Sequence, residues 1–245
     1  MKRISVLCFM LVALFMSSKL VAQDKKVALV TFYCDKKIGG TGMGTIGESL
    51  INDPDFNLQP VIEKAYTTFI TDFAKDFPFK MVDKAVVTGN EAYKNYKSTI
   101  LWDTTKGFNK IAGLQYAVAN GFIFAYPGGP VLKASNRDEM NLYSILKNDC
   151  DGVMLVNIDY EITPGFGGLY ANVTAFLTMS LWDKDGNKVF RIREYSKSSK
   201  KVAAVAGIPV MKSDKIQPLC EDATNVLFEE LKDKLAKIVK KSAKF

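Results

Sequence analysis

Leu169-Tyr170-Ala171-Asn172-Val173-Thr174-Ala175-Phe176-Leu177-Thr178-Met179-Ser180-Leu181-Trp182 reads apolar at every odd position, with polar or aromatic residues between. Side chains of a strand point to opposite faces in turn, so this alternation predicts one long strand with a buried face and a second, more polar face. Asp183-Lys184-Asp185-Gly186-Asn187 follows, a cluster of turn formers, and Lys188 to Tyr195 returns as the partner strand. A turn flanked by two such runs predicts an antiparallel hairpin.

Working outward from the hairpin, Gly152 to Tyr160 is a further apolar strand, preceded by a helix over Asp138 to Asn148 carrying Met140, Leu142, Tyr143, Ile145 and Leu146. At the other end of the chain Lys26 to Tyr33 is a short, nearly all-apolar run, the pattern of a strand covered on both faces. Pro60 to Phe77 places Ile62, Ala65, Phe69 and Phe73 on one helical face, with Val61, Tyr66 and Ile70 widening the stripe. Pro78 stops that helix, and Phe79 to Val82 reads as a second strand. Residues 84–135 form an irregular insert, with a helix expected over Lys106 to Asn120 and Gly121 as its C-cap. After a polar stretch from Ser196 to Asp214, Pro218 opens a last helix with Leu219, Ala223, Val226, Leu227, Leu231, Leu235 and Ile238 in one stripe. The order predicts an α/β (α+β) fold: one domain over 24–245, built on a mixed sheet with a C-terminal antiparallel hairpin and helices packed against it.

The first 23 residues predict the compartment. Lys2 and Arg3 precede an apolar run from Ile4 to Met16, and Val21-Ala22-Gln23 leads to an expected cut before Asp24, the pattern of a signal peptide. The run is shorter than the roughly 20 apolar residues of a bilayer helix. Cys8 lies inside it, a poor position for lipid attachment. Removing residues 1–23 takes away Lys2, Arg3 and Lys19 and no acid, so the 33 basic residues become 30 against 26 acidic ones and the net charge falls from +7 to +4. The remaining surplus, much of it lysine in the last helix, suits a helix C-terminus and a solvated face. No nucleic-acid partner is expected of an exported chain with so mild a charge. Cys34, Cys150 and Cys220 remain, and one disulfide with one leftover thiol leaves three pairings open.

The chain has no histidine, which removes the commonest general base and metal ligand. Gly42-Met43-Gly44-Thr45-Ile46-Gly47 spells a dinucleotide fingerprint, but eight residues separate it from the preceding strand and no sustained helix follows. Asp183, Asp185, Asn187 and Glu194 match a calcium-loop count with Lys188 where glycine is required, so a hairpin turn is the better reading. Ser144 and Lys147 have the spacing of a Ser-Lys pair, without the companion motifs of penicillin-recognising enzymes. Asp159 and Glu161 share one strand face, an ordinary outcome of alternation. Asp103-Thr104-Thr105 resembles a short O-glycosylation acceptor. No catalytic, cofactor or metal residue is assigned on these patterns.

Two apolar loops, 121–132 and 202–211, carry glycine and proline among large apolar residues. An insert folding over the sheet and burying these residues is the plainer reading of such a loop; if the protein has a partner or membrane contact, it is expected at Phe122, Phe124 and Tyr126 beside Pro127-Gly128-Gly129-Pro130, because such a segment cannot continue a helix or central strand.

Lys26-Val27-Ala28-Leu29-Val30-Thr31-Phe32, Asp149-Cys150-Asp151-Gly152-Val153-Met154-Leu155-Val156, and Leu181 to Phe190 before a final helix resemble the periplasmic fold shared by the curli-secretion lipoprotein family and the amino-terminal domain of the Tol-system propeller protein. The likeness covers about two-thirds of the mature chain, which departs from the lipoproteins in its lack of a usable lipidation cysteine and in its insert. It implies a noncatalytic module of a Gram-negative cell envelope, periplasmic or associated with the outer membrane, whose partners are envelope proteins, further copies of itself or a membrane surface. An envelope hydrolase using Ser144 and Lys147, or a carboxylate pair, is the alternative.

Overall fold

The computed structural model describes residues 25–40, 50–51, 53–98, 115–126, 137–205, 208–209, 213–242 and 245. The signal peptide, Gly42 to Gly47 and Asp103-Thr104-Thr105 lie outside the described residues. The chain forms β1 (Lys26–Asp35), β2 (Gly39–Gly40), α1 (Gln59–Thr68), β3 (Lys80–Met81), α2 (Lys84–Gly89), α3 (Glu91–Lys94), β4 (Tyr116–Val118), α4 (Asp138–Leu146), β5 (Gly152–Pro164), β6 (Tyr170–Asp183), β7 (Lys188–Lys197), β8 (Val202–Val205), β9 (Ile208–Pro209) and α5 (Ser213–Ser242). All the strands join one mixed sheet of order β3-β1-β5-β6-β8-β9, with β4 beside β1, β2 beside β5 and β7 beside β6.

The expected hairpin forms in full. β6 and β7 pair from Thr174↔Lys197 to Trp182↔Lys188, and Asp183 closes the turn by accepting the Asp185 and Asn187 backbone N–H groups at 2.9 and 2.8 Å. Gly186 supplies the left-handed φ of 76° that this turn requires, and its carbonyl accepts from Arg137 at 2.9 Å. β5 pairs antiparallel with β6 along Gly152 to Pro164 and parallel with β1 from Val27↔Gly152 to Cys34↔Ile158.

Period two then sorts the side chains. Phe32 and Cys34 of β1, Met154, Val156, Ile158, Tyr160 and Ile162 of β5, and Val173, Ala175, Leu177, Met179 and Leu181 of β6 share one face and are buried. Helices α1 and α5 cover it. Pro60 sits in the first turn of α1, where its missing N–H costs nothing. Past Thr68 the helix widens into a π turn over Phe69–Phe73 and tightens over Ala74–Asp76. Phe69 lies 5.5 Å from Phe32, and Phe73 lies 5.5 Å from Phe228 of α5. Tyr160 Oη is 2.8 Å from Thr224 Oγ1, and Glu194 of β7 pairs with Lys234 of α5 at 2.9 Å, fastening α5 along the hairpin. Helix α5 begins five residues before Pro218, which therefore lies within its second turn and removes one backbone donor there.

The described parts of the insert tie directly into the sheet. Asp83 and Asn90 cap α2 and α3 by accepting the Ala85 and Tyr93 N–H groups, and the buried Tyr93 hydroxyl donates to the Val30 carbonyl of β1 at 2.7 Å. The helix expected through Asn120 is replaced at Tyr116–Val118 by β4, which pairs antiparallel with Tyr33–Asp35. Its ends are held by bonds from Lys36 N–H to the Gln115 carbonyl and from Ala119 N–H to the Phe32 carbonyl. Sheet pairing overrides the helical spacing of Leu114, Tyr116 and Val118; the earlier part of that expectation lies outside the described residues.

Candidate functional site

Residues of the sheet's second face alternate with the core just described, and they change character along it. Near Gly152 the face is apolar: Val153, Leu155 and Trp182 are buried, and Arg137 at the start of α4 lies 5.0 Å over the Trp182 ring. Further along, the same face presents Tyr33 and Asp35 from β1, Asn157, Asp159 and Glu161 from β5, Phe176 from β6, and Arg191, Arg193, Tyr195 and Lys197 from β7. β4 adds Tyr116, which pairs with Asp35.

Three rings gather here: Phe124 stacks on Tyr116 at 4.1 Å and meets the edge of Tyr33 at 4.9 Å, and Tyr33 meets Tyr116 at 5.4 Å. A second pair lies across the face, Phe176 against Tyr195 at 5.6 Å with the Arg193 guanidinium 4.5 Å over Phe176.

Two carboxylates stand between the ring groups. Asp35 accepts the Lys37 backbone N–H and the Gln115 amide, both at 2.7 Å. Burial nonetheless raises its pKa to about 6, helped by the charge of Asp159 and opposed by those two hydrogen bonds. Asp159 is also raised by burial, against the Asn157 amide at 3.0 and 3.1 Å and the charges of Arg193 and Arg191. Tyr33 is raised well above the ordinary phenol by burial and then by Asp159, and burial with Asp35 nearby lifts Tyr116 to about 12. Half-buried acids with perturbed proton affinity beside aromatic rings and two arginines thus concentrate unusual chemistry at this end of the sheet face.

The expected contact residues divide between core and surface. Phe122 is 9% exposed and packs against Tyr66 at 5.3 Å, so as placed it belongs to the core and not to a partner. The Thr31 hydroxyl of β1 donates to the Ile123 carbonyl at 2.7 Å and ties this loop to the sheet, with Phe122 packed inward. Phe124 is half-buried in the three-ring group, and Tyr126 is 44% exposed.

Ser144 is exposed on α4 and donates its hydroxyl to the Met140 carbonyl at 3.0 Å, one turn back. Asp183 is engaged by its own turn, while Glu194 faces α5 through Lys234, so the calcium-loop residues do not converge. Among the described residues no group of three Cys, Asp or Glu side chains could hold a metal, and no helix is long and apolar enough to cross a membrane. Cys34, Cys150 and Cys220 are all free thiols and buried. The sequence alone does not single out Asp35 or Arg193. Arg193 has one signal, its alternation with Arg191 along β7, whereas Asp35 ends the nearly all-apolar β1 and has none.

No family model matches this chain, and no curated protein matches it. Among solved structures it is similar to a hypothetical protein of Chlamydia trachomatis, at 8% identity over 90% of this chain and 98% of that one, with a TM-score of 0.40. It is similar also to a protein described as a neuraminyllactose-binding hemagglutinin homolog from Helicobacter pylori, at 9% identity over 91% and 93% of the two chains, with a TM-score of 0.39. Likeness at this level carries no functional inference.

Proposed function

We propose that the chain is an exported cell-envelope protein that acts as a noncatalytic binding or assembly module, and that its partner-binding surface is the polar end of the second sheet face. The observation that carries this reading is the half-buried Asp35 and Asp159 set between two aromatic groups and flanked by exposed Arg191 and Arg193. Holding charge out of water disfavours the folded state, and a protein surface offering hydrogen bonds and apolar contact would complete such a face. The signal-peptide pattern of residues 1–23 supports export. The resemblance to the curli-secretion lipoproteins and the Tol amino-terminal domain supports envelope proteins or further copies of the chain as partners. Tyr126 is exposed and Phe124 is stacked on Tyr116, so two of the expected contact residues border this surface; residues 127–132 lie outside the described residues.

The test is recovery from the chain's own detergent-solubilised envelopes, comparing the parent with Arg193→Glu and with Thr67→Glu on the exposed side of α1. A partner held by the parent and Thr67→Glu but lost by Arg193→Glu supports the reading. A partner kept equally by all three, or none held by the parent, contradicts it.

One observation favours the alternative of an envelope hydrolase in its carboxylate form. Asp35 and Asp159 both hold protons above the usual carboxylate range, as a general acid must near neutral pH. Its pair would then be Asp35 with Asp159 in place of Asp159 with Glu161. Hydrolysis of envelope glycans abolished by Asp35→Asn, with a rate that falls as pH rises past about 6, would establish it over the binding reading.

A further inference from the structure

The hairpin joining β5 to β6 ends in Pro164-Gly165-Phe166-Gly167-Gly168-Leu169-Tyr170. Phe166 is 92% exposed and Leu169 is 76% exposed, the two most exposed large apolar side chains described. Their exposure is built into an ordered turn. Gly165 N–H donates to the Tyr170 carbonyl at 2.8 Å, and Gly168 N–H donates to the Gly165 carbonyl at 3.1 Å. Gly167 and Gly168 take left-handed φ values of 70° and 69°, a shape that residues with a side chain rarely adopt. At Gly165 a Cβ would fall 1.9 Å from the Tyr170 ring, so the backbone lies directly against that ring. The turn thus holds Phe166 and Leu169 outward.

Behind this apolar point, two neighbouring segments carry no acid and the second carries basic residues. Residues 162–182 contain no acid, and residues 195–213 contain none either but carry Lys197, Lys200 and Lys201. That second segment runs beside the hairpin: Ala204 N–H donates to the Leu169 carbonyl at 3.0 Å, Tyr170 pairs with Ala203, and the Asn172 amide donates to the Lys200 carbonyl at 3.2 Å. Lys201 Nζ lies 4.4 Å over the Tyr170 ring. Asp222 of α5 accepts from the Lys200 backbone N–H and the Ser199 hydroxyl and so positions this lysine-bearing segment.

Read from the end inward, the order is two apolar side chains, a tyrosine, then exposed lysines. A bilayer surface has the matching order of acyl chains, a wet interface that favours tyrosine, and phosphate. We infer that the β5–β6 hairpin docks onto an anionic lipid bilayer, with Phe166 and Leu169 entering the acyl boundary and Lys200 and Lys201 meeting lipid phosphates. This contact goes beyond the binding face proposed above, and Phe166, Leu169, Lys200 and Lys201 are not part of that face.

The test uses the chain from Asp24 onward, which contains every described element and lacks the apolar run at 4–16. It is sedimented with vesicles of phosphatidylcholine and phosphatidylglycerol in equal parts, and with phosphatidylcholine alone. Binding to the anionic vesicles is expected, weakened by about tenfold or more in the Phe166→Ser/Leu169→Ser variant. Loss by about fivefold is expected for each of Lys200→Gln and Lys201→Gln at low salt. A Phe166→Trp variant should shift its emission to the blue on binding. All these side chains are exposed, so unchanged circular dichroism and melting are expected of every variant. Three results overturn the inference: no binding by the parent, equal binding by Phe166→Ser/Leu169→Ser, or unmoved Trp emission in the bound state. A fourth is light scattering that shows the tip variants dissociating an oligomer, because the tip would then serve a second copy of the chain.

Discussion

Replacing Asp35 by Asn tests whether the polar sheet face holds its charge against the fold's own stability. In the folded chain the Asp35 proton is held up to about pH 6, against an ordinary value of 3.8. Between those values the folded state binds more protons than the unfolded state, so stability falls as pH rises through this window. The favourable contribution of the protonated carboxyl is complete below 3.8 and lost as pH passes 6. A shift of about two units, at 1.36 kcal/mol each, amounts to about 3 kcal/mol. Asn carries no charge to desolvate. It keeps an acceptor for the Lys37 N–H, and rotation of the Gln115 amide restores the second bond, so these changes are independent of pH. Denaturant unfolding of parent and variant at about pH 4 and about pH 8 isolates the charge: the variant should gain about 2 to 3 kcal/mol relative to the parent between the two conditions. A difference that stays constant with pH, or grows in the parent's favour as pH rises, would refute the reasoning.

Tyr93→Phe should cost about 1 to 3 kcal/mol, because it leaves the Val30 carbonyl and the Ile123 N–H without the hydroxyl that both use; thermal unfolding measures it. Burial raises the thiols of Cys34 and Cys220 well above the ordinary range and that of Cys150 to about 11. All three should therefore resist alkylation at neutral pH in the native chain and react fully in denaturant, as counted by mass spectrometry; recovery of a disulfide would contradict it. Ser144 should stay unlabelled by a serine-reactive phosphonate, since its hydroxyl is committed to the Met140 carbonyl, and labelling there would reopen the Ser-Lys reading.

The hairpin and α5 were legible because their signals are local. Fourteen alternating residues define β6, a Gly-containing turn follows, and one apolar stripe marks the last helix. Where pairing with a distant strand decides, the local pattern misleads. Tyr116–Val118 has helical spacing around it yet pairs with Tyr33–Asp35, about 80 residues away in sequence. β8 and β9 are four and two residues long, too short to show a period, and they sit in what reads as a polar and small-residue stretch. The candidate site was hidden for the same reason. Asp35 and Asp159 lie in parallel strands, and only the β1–β5 register places them on one face. Phe122 and Tyr126 stand four residues apart in one loop, but the first packs inward beside the bond from Thr31 to Ile123 and the second stays outside.

The most direct test of the binding account is photo-crosslinking in the chain's own cells. A photoreactive residue would replace Arg193 on the proposed face, or Thr67 on the exposed side of α1, and each product would be separated by envelope fraction and mass. The account predicts that the Arg193 position, and not Thr67, gives a discrete adduct with an envelope polypeptide or a second copy of the chain, on protein found outside the cytoplasm. Equal crosslinking from both positions, none from either, or protein retained in the cytoplasm would contradict it.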